Sequence, residues 1–400
     1  MKYKSFSKLF HSNKEEYEER IKYAKLDHCY FELDINIGEN KAFFFATPEI
    51  FEMIIEIERI SNKLMYYSHY NNLYKDMQLF LMNGFIIDEI KSTNNIEGIR
   101  SSRKDINDVM TRAKSNKRLQ GMVNRYRMLA EQEKIKITSS KDIRKIYDEL
   151  VSDEVYLTDP DDAPDGVIFR KRGVGIIGND GKVIHEGLMP ESEIIETMDK
   201  ALDFLYNGKV HYLIKVAVFH YLFGYIHPFY DGNGRVNRFI SSYLLNYKTF
   251  NLFGFRLSYI INKNLPAYYK AFQTVDNPQN LGDVTPFIIT FLDLIKKAAN
   301  NTESVIVGSI DKFKMFHENI YKLPSSSEKL HDLYAMLIAV TLFSETGTTR
   351  EEITQKLGIS TATLVRRLSE IPETLLNIRK VGKVKYFSLN YDELMTIINS

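Results

Sequence analysis

Cysteine is nearly absent: Cys29 is the single one in 400 residues. That excludes an internal disulfide framework and fits a reducing compartment. Its surroundings, DHCYFELDI, offer no second soft ligand, so it reads as a filler thiol. Charge of one sign is also scarce, since 53 Lys and Arg against 52 Asp and Glu leave a net +1. No chain-wide field draws the protein to nucleic acid or membrane, and any electrostatic recognition must be local. Long hydrophobic runs are missing too. VAVFHYLFGYI (216–226) and LYAMLIAVTLF (333–343) fall far short of a bilayer span and read as buried helices. MKYKSFSKLFHSNKEEYEER at the start has no apolar h-region or small-residue cleavage site, so a cytoplasmic, membrane-free protein is expected. Neither an internal repeat nor a Walker-type GxxxxGK[ST] is visible.

What is present is ordinary globular material, 44% apolar and 26% charged, long enough for two to three domains. The pattern predicts a mostly α fold in an N-terminal helical region (1–84), a central domain (85–300), a connecting helix and linker (301–328) and a C-terminal domain (329–400). PEIFEMIIEIERISNKLMYY (48–67) opens on a proline suited to a first helical turn and continues with helical spacing. VIFRKRGVGIIGNDGKVIHEGL (167–188) alternates on both sides of Gly178-Asn-Asp-Gly181 and predicts a β-hairpin. The formal GxGxxG inside it, Gly173 to Gly178, lacks the helix and acidic residue of a dinucleotide fingerprint.

HPFYDGNGRVNR (227–238) suits neither a core nor an ordinary turn. Val236, Phe239, Ile240, Tyr243 and Leu244 fall on one face of the helix that follows. Asp231 to Gly234 then lie at that helix's N-terminus, where unpaired N–H groups and the macrodipole favour an anion. Gly232 and Gly234 permit close backbone approach. Arg235 and Arg238 share a face beside the opening and can chelate phosphate oxygens. Asp231 offers the single hard carboxylate that Mg²⁺ uses alongside phosphates and water. His227, with an ordinary pKa of roughly 6.5, can take a proton from an attacking hydroxyl. Taken alone, His227 also reads as a histidine at a helix end.

The stretch resembles the Fic family signature HPFx[D/E]GNGRxxR and matches it at every specified position, the likeness extending over roughly 85–300. The resemblance implies a Fic-type helical core that transfers AMP from ATP, with Mg²⁺, to a Ser, Thr or Tyr hydroxyl of a target protein. His227 would be the base and Asp231 the metal ligand. Gly232, Asn233, Gly234 and Arg235 would line the phosphate cradle, and Arg238 would bind the γ-phosphate. Gly234 separates the motif from the kinase-like branch of that superfamily. INKNLPAYYKAFQ resembles the family's paired tyrosines near the adenine, placing Tyr268 and Tyr269 there, although a core role suits them as well. The hairpin matches the position of the family's target-docking flap, which would make Val174, Gly175, Ile176 and Ile177 the edge that holds the modified segment. The same stretch also reads as an ordinary surface hairpin.

Upstream, FIIDEIKSTNNIEGIRSS (85–102) reads as a helix up to Glu97, with Thr93 and Glu97 on one face and Gly98 able to end it. A glutamate there opposes the helix dipole unless a cation compensates; otherwise it is a solvated residue before a cap. The segment resembles the family's inhibitory pattern [S/T]xxxE[G/N] at Thr93, Glu97 and Gly98. This implies a pair between Glu97 and Arg238 that misaligns the triphosphate and keeps basal activity low.

The C-terminal part, with REEITQKLG, TATLVRRLSEI and the alternating IRKVGKVKYFSL, resembles a winged helix-turn-helix. Arg366, Arg367, Arg379, Lys380, Lys383 and Lys385 concentrate positive charge suited to phosphate contacts. Docking of a protein partner or homodimerisation are the other uses of such a module. Two further functional readings stand beside AMP transfer. One is a Fic-type enzyme using UTP or CDP-choline, or removing AMP. The other is a DNA-binding regulator whose nucleotide pocket only senses.

Overall fold

The computed structural model describes residues 3–70, 72–111, 115–177, 183–324, 328–344, 347–381 and 384–400, without the side chains of 70, 72–76, 79, 176–177, 183–184 and 381. The expected hairpin turn Gly178 to Gly181, the side chains of Ile176 and Ile177, and Lys383 therefore lie outside the described residues.

The fold is mostly α with small antiparallel sheets. Helices α1 (Phe6–Ser12) and α2 (Lys14–Tyr23) precede strands β1 (Tyr30–Ile37) and β2 (Asn40–Phe45). Then come α3 (Pro48–Tyr70), α4 (Asn72–Ile96), α5 (Arg103–Met110), α6 (Lys117–Ala130), α7 (Ser140–Leu150) and α8 (Ser152–Thr158). Strands β3 (Gly175–Ile177) and β4 (Val183–Glu186) lead into α9 (Glu191–Asn207), α10 (Tyr212–Ile226), α11 (Asn233–Lys248), α12 (Leu257–Lys263), α13 (Leu265–Asp276) and α14 (Thr285–Glu318). The chain ends with α15 (Glu328–Phe343), β5 (Thr348–Thr349), α16 (Arg350–Leu357), α17 (Thr361–Ser369), β6 (Leu376–Val381), β7 (Val384–Leu389) and α18 (Tyr391–Asn399). Among the described residues, no helix is long and apolar enough to cross a membrane.

The chain forms two compact units that interleave in sequence. The first comprises 1–62, 88–102 and 116–300, and the second 63–87, 103–115 and 301–400. In the first unit α10 is apolar all round and buried along nearly its whole length, from Leu213 to Ile226, as a central core helix must be. It packs against α9 and α11. The end of α4 is anchored here by a buried carboxylate. Glu89 accepts hydrogen bonds from the backbone N–H groups of Ser258 (2.9 Å) and Tyr259 (3.3 Å) and from the Ser242 hydroxyl (3.2 Å). Unpaired donors of the first turn of α12 are thereby satisfied. In the second unit, α15, α16 and α17 accompany a three-stranded sheet of order β5-β7-β6. Gly358, left-handed at φ +62, ends α16, and Ser360 caps α17.

Two elements differ from expectation. The N-terminal region, read as helical, contains the β1–β2 hairpin, turned at Gly38 with φ +57. Leu33, Ile35 and Ile37 bury one face of β1 in strict alternation. The 167–188 hairpin is shorter than its alternation suggested. The Glu191 carboxylate accepts the N–H groups of Val167, Ile168 and Phe169 at 2.8–3.1 Å, which bends that segment away from a ladder. Among the described residues of this segment, strand pairing is limited to β3 and β4, with a register shift between Ile176 and Ile177.

Candidate active site

Helix α10 ends on His227, whose backbone is left-handed at φ 49, ψ 64. Few residues other than glycine adopt this conformation, and it costs about 1–2 kcal/mol. The turn reverses the chain and brings His227 to the same cavity as Asn233 and Gly234 of α11. The ring Nδ1 lies 3.3 Å from the carbonyl oxygen of Gly224. A carbonyl can only accept, so Nδ1 carries the proton and the Nε2 lone pair is left for chemistry. Burial pushes the His227 pKa down to about 4, and the charges of His185 and Arg170 act the same way against the opposing Glu97. The imidazole is therefore neutral and able to accept a proton near pH 7.

The following loop is closed by one amide. Asn233 Oδ1 accepts the Phe229 N–H at 2.9 Å while its Nδ2 donates to the Phe229 carbonyl at 2.7 Å. Phe229 stacks on Tyr147 with centroids 4.0 Å apart. Gly232 caps α11 at φ +83, and a Cβ there would meet Val151 Cγ2 at 2.9 Å. At Gly234 a Cβ would strike the Glu97 carboxylate and come within 2.8 Å of Arg238 Nη1. A carboxylate oxygen of the chain thus already occupies the space that glycine leaves open at the helix N-terminus.

The two arginines of the motif face different partners. Arg238, 1% exposed, donates from Nε to Thr93 Oγ1 (2.9 Å) and from Nη2 to the Thr93 carbonyl (3.2 Å) and Glu97 Oε1 (2.6 Å). Burial pushes the Glu97 carboxyl up, but the Arg238 charge and hydrogen bond outweigh it and hold the pKa below the usual value. Glu97 follows the last residue of α4, and Gly98, at φ +72, turns the chain away. Arg235, also 1% exposed, is directed to the Glu154 carboxylate and to Asp231 Oδ2 at 3.0 Å rather than to the cavity. Asp231 keeps 41% of its side chain exposed beside the cradle. One accessible hard carboxylate next to an anion nest fits an Mg²⁺ that takes its remaining ligands from phosphate and water.

A cavity of about 200 Å³ is lined by Glu97, His227, Gly234, Arg238, Tyr269 and Asp276, among others. Tyr268 is 5% exposed and lends its ring to the wall while its hydroxyl bonds His220 Nε2 at 2.7 Å, so it also serves the core. Tyr269, 44% exposed, stands tilted beside it with centroids 5.5 Å apart. On the flap, Gly175 pairs with Glu186 and Ile176 with His185, and the Val174 carbonyl accepts the Gly187 N–H at 3.0 Å. Among the described residues, the outer edge of β3 pairs with no other strand.

Sequence reasoning missed four members of this site. Glu154 lies 81 positions from Arg235 in an acid-rich stretch where nothing marks it out. His185 reaches from β4 to the Tyr225 carbonyl (2.7 Å) and towards Asp276 (3.6 Å), whose other oxygen accepts from the Tyr221 hydroxyl (2.6 Å). Arg170 sits beneath the flap. Only the fold brings His185 and Asp276 to the cavity wall, Glu154 to Arg235 and Arg170 to the Leu188 carbonyl at the base of the flap.

Residues 137–245 match the Fic/DOC family. A Fic family protein from Desulfovibrio desulfuricans G20 shares the fold with a TM-score of 0.54 at 20% identity, over 87% of this chain and 98% of that one. Fic-1 of C. elegans (residues 134–508) aligns at 17% identity and TM-score 0.43, covering 66% of this chain and 73% of its own. A Fic domain containing signaling protein from Bacteroides thetaiotaomicron VPI-5482 aligns at 14% and 0.45, covering 66% and 97%. Residues 137–245 of this chain are a Fic/DOC family domain.

Proposed function

We propose that the chain is a self-inhibited protein adenylyltransferase, transferring AMP from ATP to a Ser, Thr or Tyr hydroxyl of a target protein. Fic domains are typically transferases, commonly of AMP or another nucleoside monophosphate. The observation that carries the reading is the Glu97 carboxylate lying over Gly234 and on Arg238, an internal anion held where a phosphate group would rest.

In this reaction the target hydroxyl oxygen attacks the α-phosphorus as Nε2 of His227 takes its proton. The bond from that phosphorus to the bridging oxygen of the β-phosphate breaks, and pyrophosphate leaves. Gly232 and Gly234 let the triphosphate approach the α11 N-terminus, and Arg238 neutralises its γ-phosphate once Glu97 withdraws. Asp231 would hold Mg²⁺, which supplies neutralising charge to the leaving phosphates. The unpaired edge of β3 would receive the target as an added strand, with Val174 to Ile177 beneath it. Positioning and charge supply the rate, and no covalent enzyme intermediate is needed.

The test is label transfer to lysate proteins from α-labelled and γ-labelled ATP, with UTP, GTP and CDP-choline as rival donors. Transfer of the α-label alone, lost in His227→Ala, supports the reading. Transfer of the γ-label, or a preference for another donor, replaces it. Nucleotide binding without transfer, even in Glu97→Gly, would leave the sensing regulator.

A further inference from the structure

Arg170 is the largest fully buried charged side chain of the first unit that has no acidic partner among the described residues. Its guanidinium is held by three carbonyl oxygens. Nε donates to His227 (2.9 Å), Nη1 to Arg172 (2.7 Å) and Nη2 to Leu188 (2.9 Å). Burying a cation without a counter-charge is costly, because water's solvation is lost and no opposite charge replaces it. That cost is out of place in a packed core unless these three carbonyls need a common anchor.

Their positions identify the need. Arg172 and Leu188 lie just outside the two flap strands, before Gly175 and after Glu186. His227 is the left-handed residue that aims the imidazole, and its carbonyl orients the next peptide. Gly187 records how tightly the group is packed. A Cβ there would lie 3.0 Å from His227 Cβ, 3.2 Å from Val174 Cγ1, and closer still to Arg170 Nη2.

Resting on the transferase reading above, we propose that Arg170 is a positioning residue: one planar fork that fixes both feet of the flap relative to the strained backbone of His227. Target-docking edge and general base are thereby kept in one register. Lysine cannot replace it, because the three oxygens are met by three nitrogens of a rigid plane. Arg170's charge also reaches the imidazole. Burial is the main cause of the lowered His227 pKa, with His185 and Arg170 adding to it and Glu97 opposing.

The experiment uses the full chain carrying Glu97→Gly, with Arg170→Met, Arg170→Lys or Gly187→Ala added. Folding is checked by thermal melt. Three readouts follow: the His227 ring titration by NMR, hydrogen exchange of the Gly187 amide and the β3–β4 amides, and kcat with KM for ATP. Arg170→Met is expected to raise the His227 pKa and speed flap exchange. It should lower kcat by roughly tenfold or more, the scale of a small misplacement, while KM for ATP moves less than about threefold. Arg170→Lys keeps the charge and should leave the His227 titration nearer the parental value without restoring flap exchange or kcat, and Gly187→Ala should move flap exchange and kcat in the direction of Arg170→Met. A folded Arg170→Met with parental His227 titration and flap exchange overturns the proposal. If it does not fold, Gly187→Ala decides by the same readouts. Should the parent transfer no label, the transferase reading fails alone, since titration and exchange still judge Arg170.

Discussion

Arg238 Nε donates to the hydroxyl of Thr93 at 2.9 Å, so the guanidinium that meets Glu97 is oriented from the same helical face that presents Glu97. Thr93 thus aims the arginine at the carboxylate. Thr93→Val keeps the shape but removes the acceptor. Initial rates of adenylate transfer should rise by about fivefold, corresponding to ~1 kcal/mol for one hydrogen bond, and by less than in Glu97→Gly. An unchanged rate would make Thr93 a packing residue only.

Glu154 and Arg235 form a buried pair, at 8% and 1% exposure. Removing one partner strands the other charge, typically at ~3–5 kcal/mol. Arg235 retains Asp231, which should hold Glu154→Ala near the lower end, about 3 kcal/mol, read as a shift in the urea midpoint. Asp231, left as the remaining carboxylate partner of Arg235, should also need more Mg²⁺ for half-maximal transfer. A midpoint equal to wild type would show that the pair contributes no net stability.

His227 links stability to pH. Its folded pKa is about 4, below the roughly 6.5 of an unfolded chain. Between those values the unfolded state binds the extra proton, so stability falls as pH drops from 6.5 towards 4. The full window corresponds to roughly 3 kcal/mol. His227→Gln should lose that part of the pH dependence, measured as the difference from wild type in urea unfolding at pH 7 and pH 5. Parallel curves for the two proteins would mean that the folded imidazole titrates normally.

Residues 227–238 were legible because their chemistry is local. A helix start, its glycines and its arginines follow one another in the chain, so spacing alone places them at one anion nest. Even there, spacing alone could not tell that Arg235 turns to Glu154 and Asp231, and the pairing of Arg238 with Glu97 was implied only by the family resemblance of the upstream helix. Arg170, Glu154 and His185 were not legible, since packing brings them to partners from 40 to 81 positions away. The β1–β2 hairpin is a different case. FELDINI alternates and Gly38 follows it, so a strand signal is present there but is outweighed by the helical spacing of the residues around it.

The basic residues of the second unit give a further expectation. Arg366 lies on α17, Arg379 and Lys380 on β6 and Lys385 on β7, all exposed. If they contact DNA phosphates, each one neutralised should reduce the slope of log affinity against log salt by about 0.9. Electrophoretic shifts of Lys380→Gln and Lys385→Gln across a salt series measure this. No shift at low salt with the wild-type protein would assign the module to a protein partner or a second copy instead.

In the proposed reaction, the Glu97 carboxylate on Arg238 holds the place of the nucleotide's terminal phosphate. Intact mass after incubating Glu97→Gly with ATP and Mg²⁺, beside wild type and Glu97→Gly/His227→Ala, tests it most directly. A gain of one adenylate unit on Glu97→Gly or on an added lysate protein, weak in wild type and absent without His227, is the predicted result. Equal labelling of wild type and Glu97→Gly, or labelling that survives loss of His227, would contradict it.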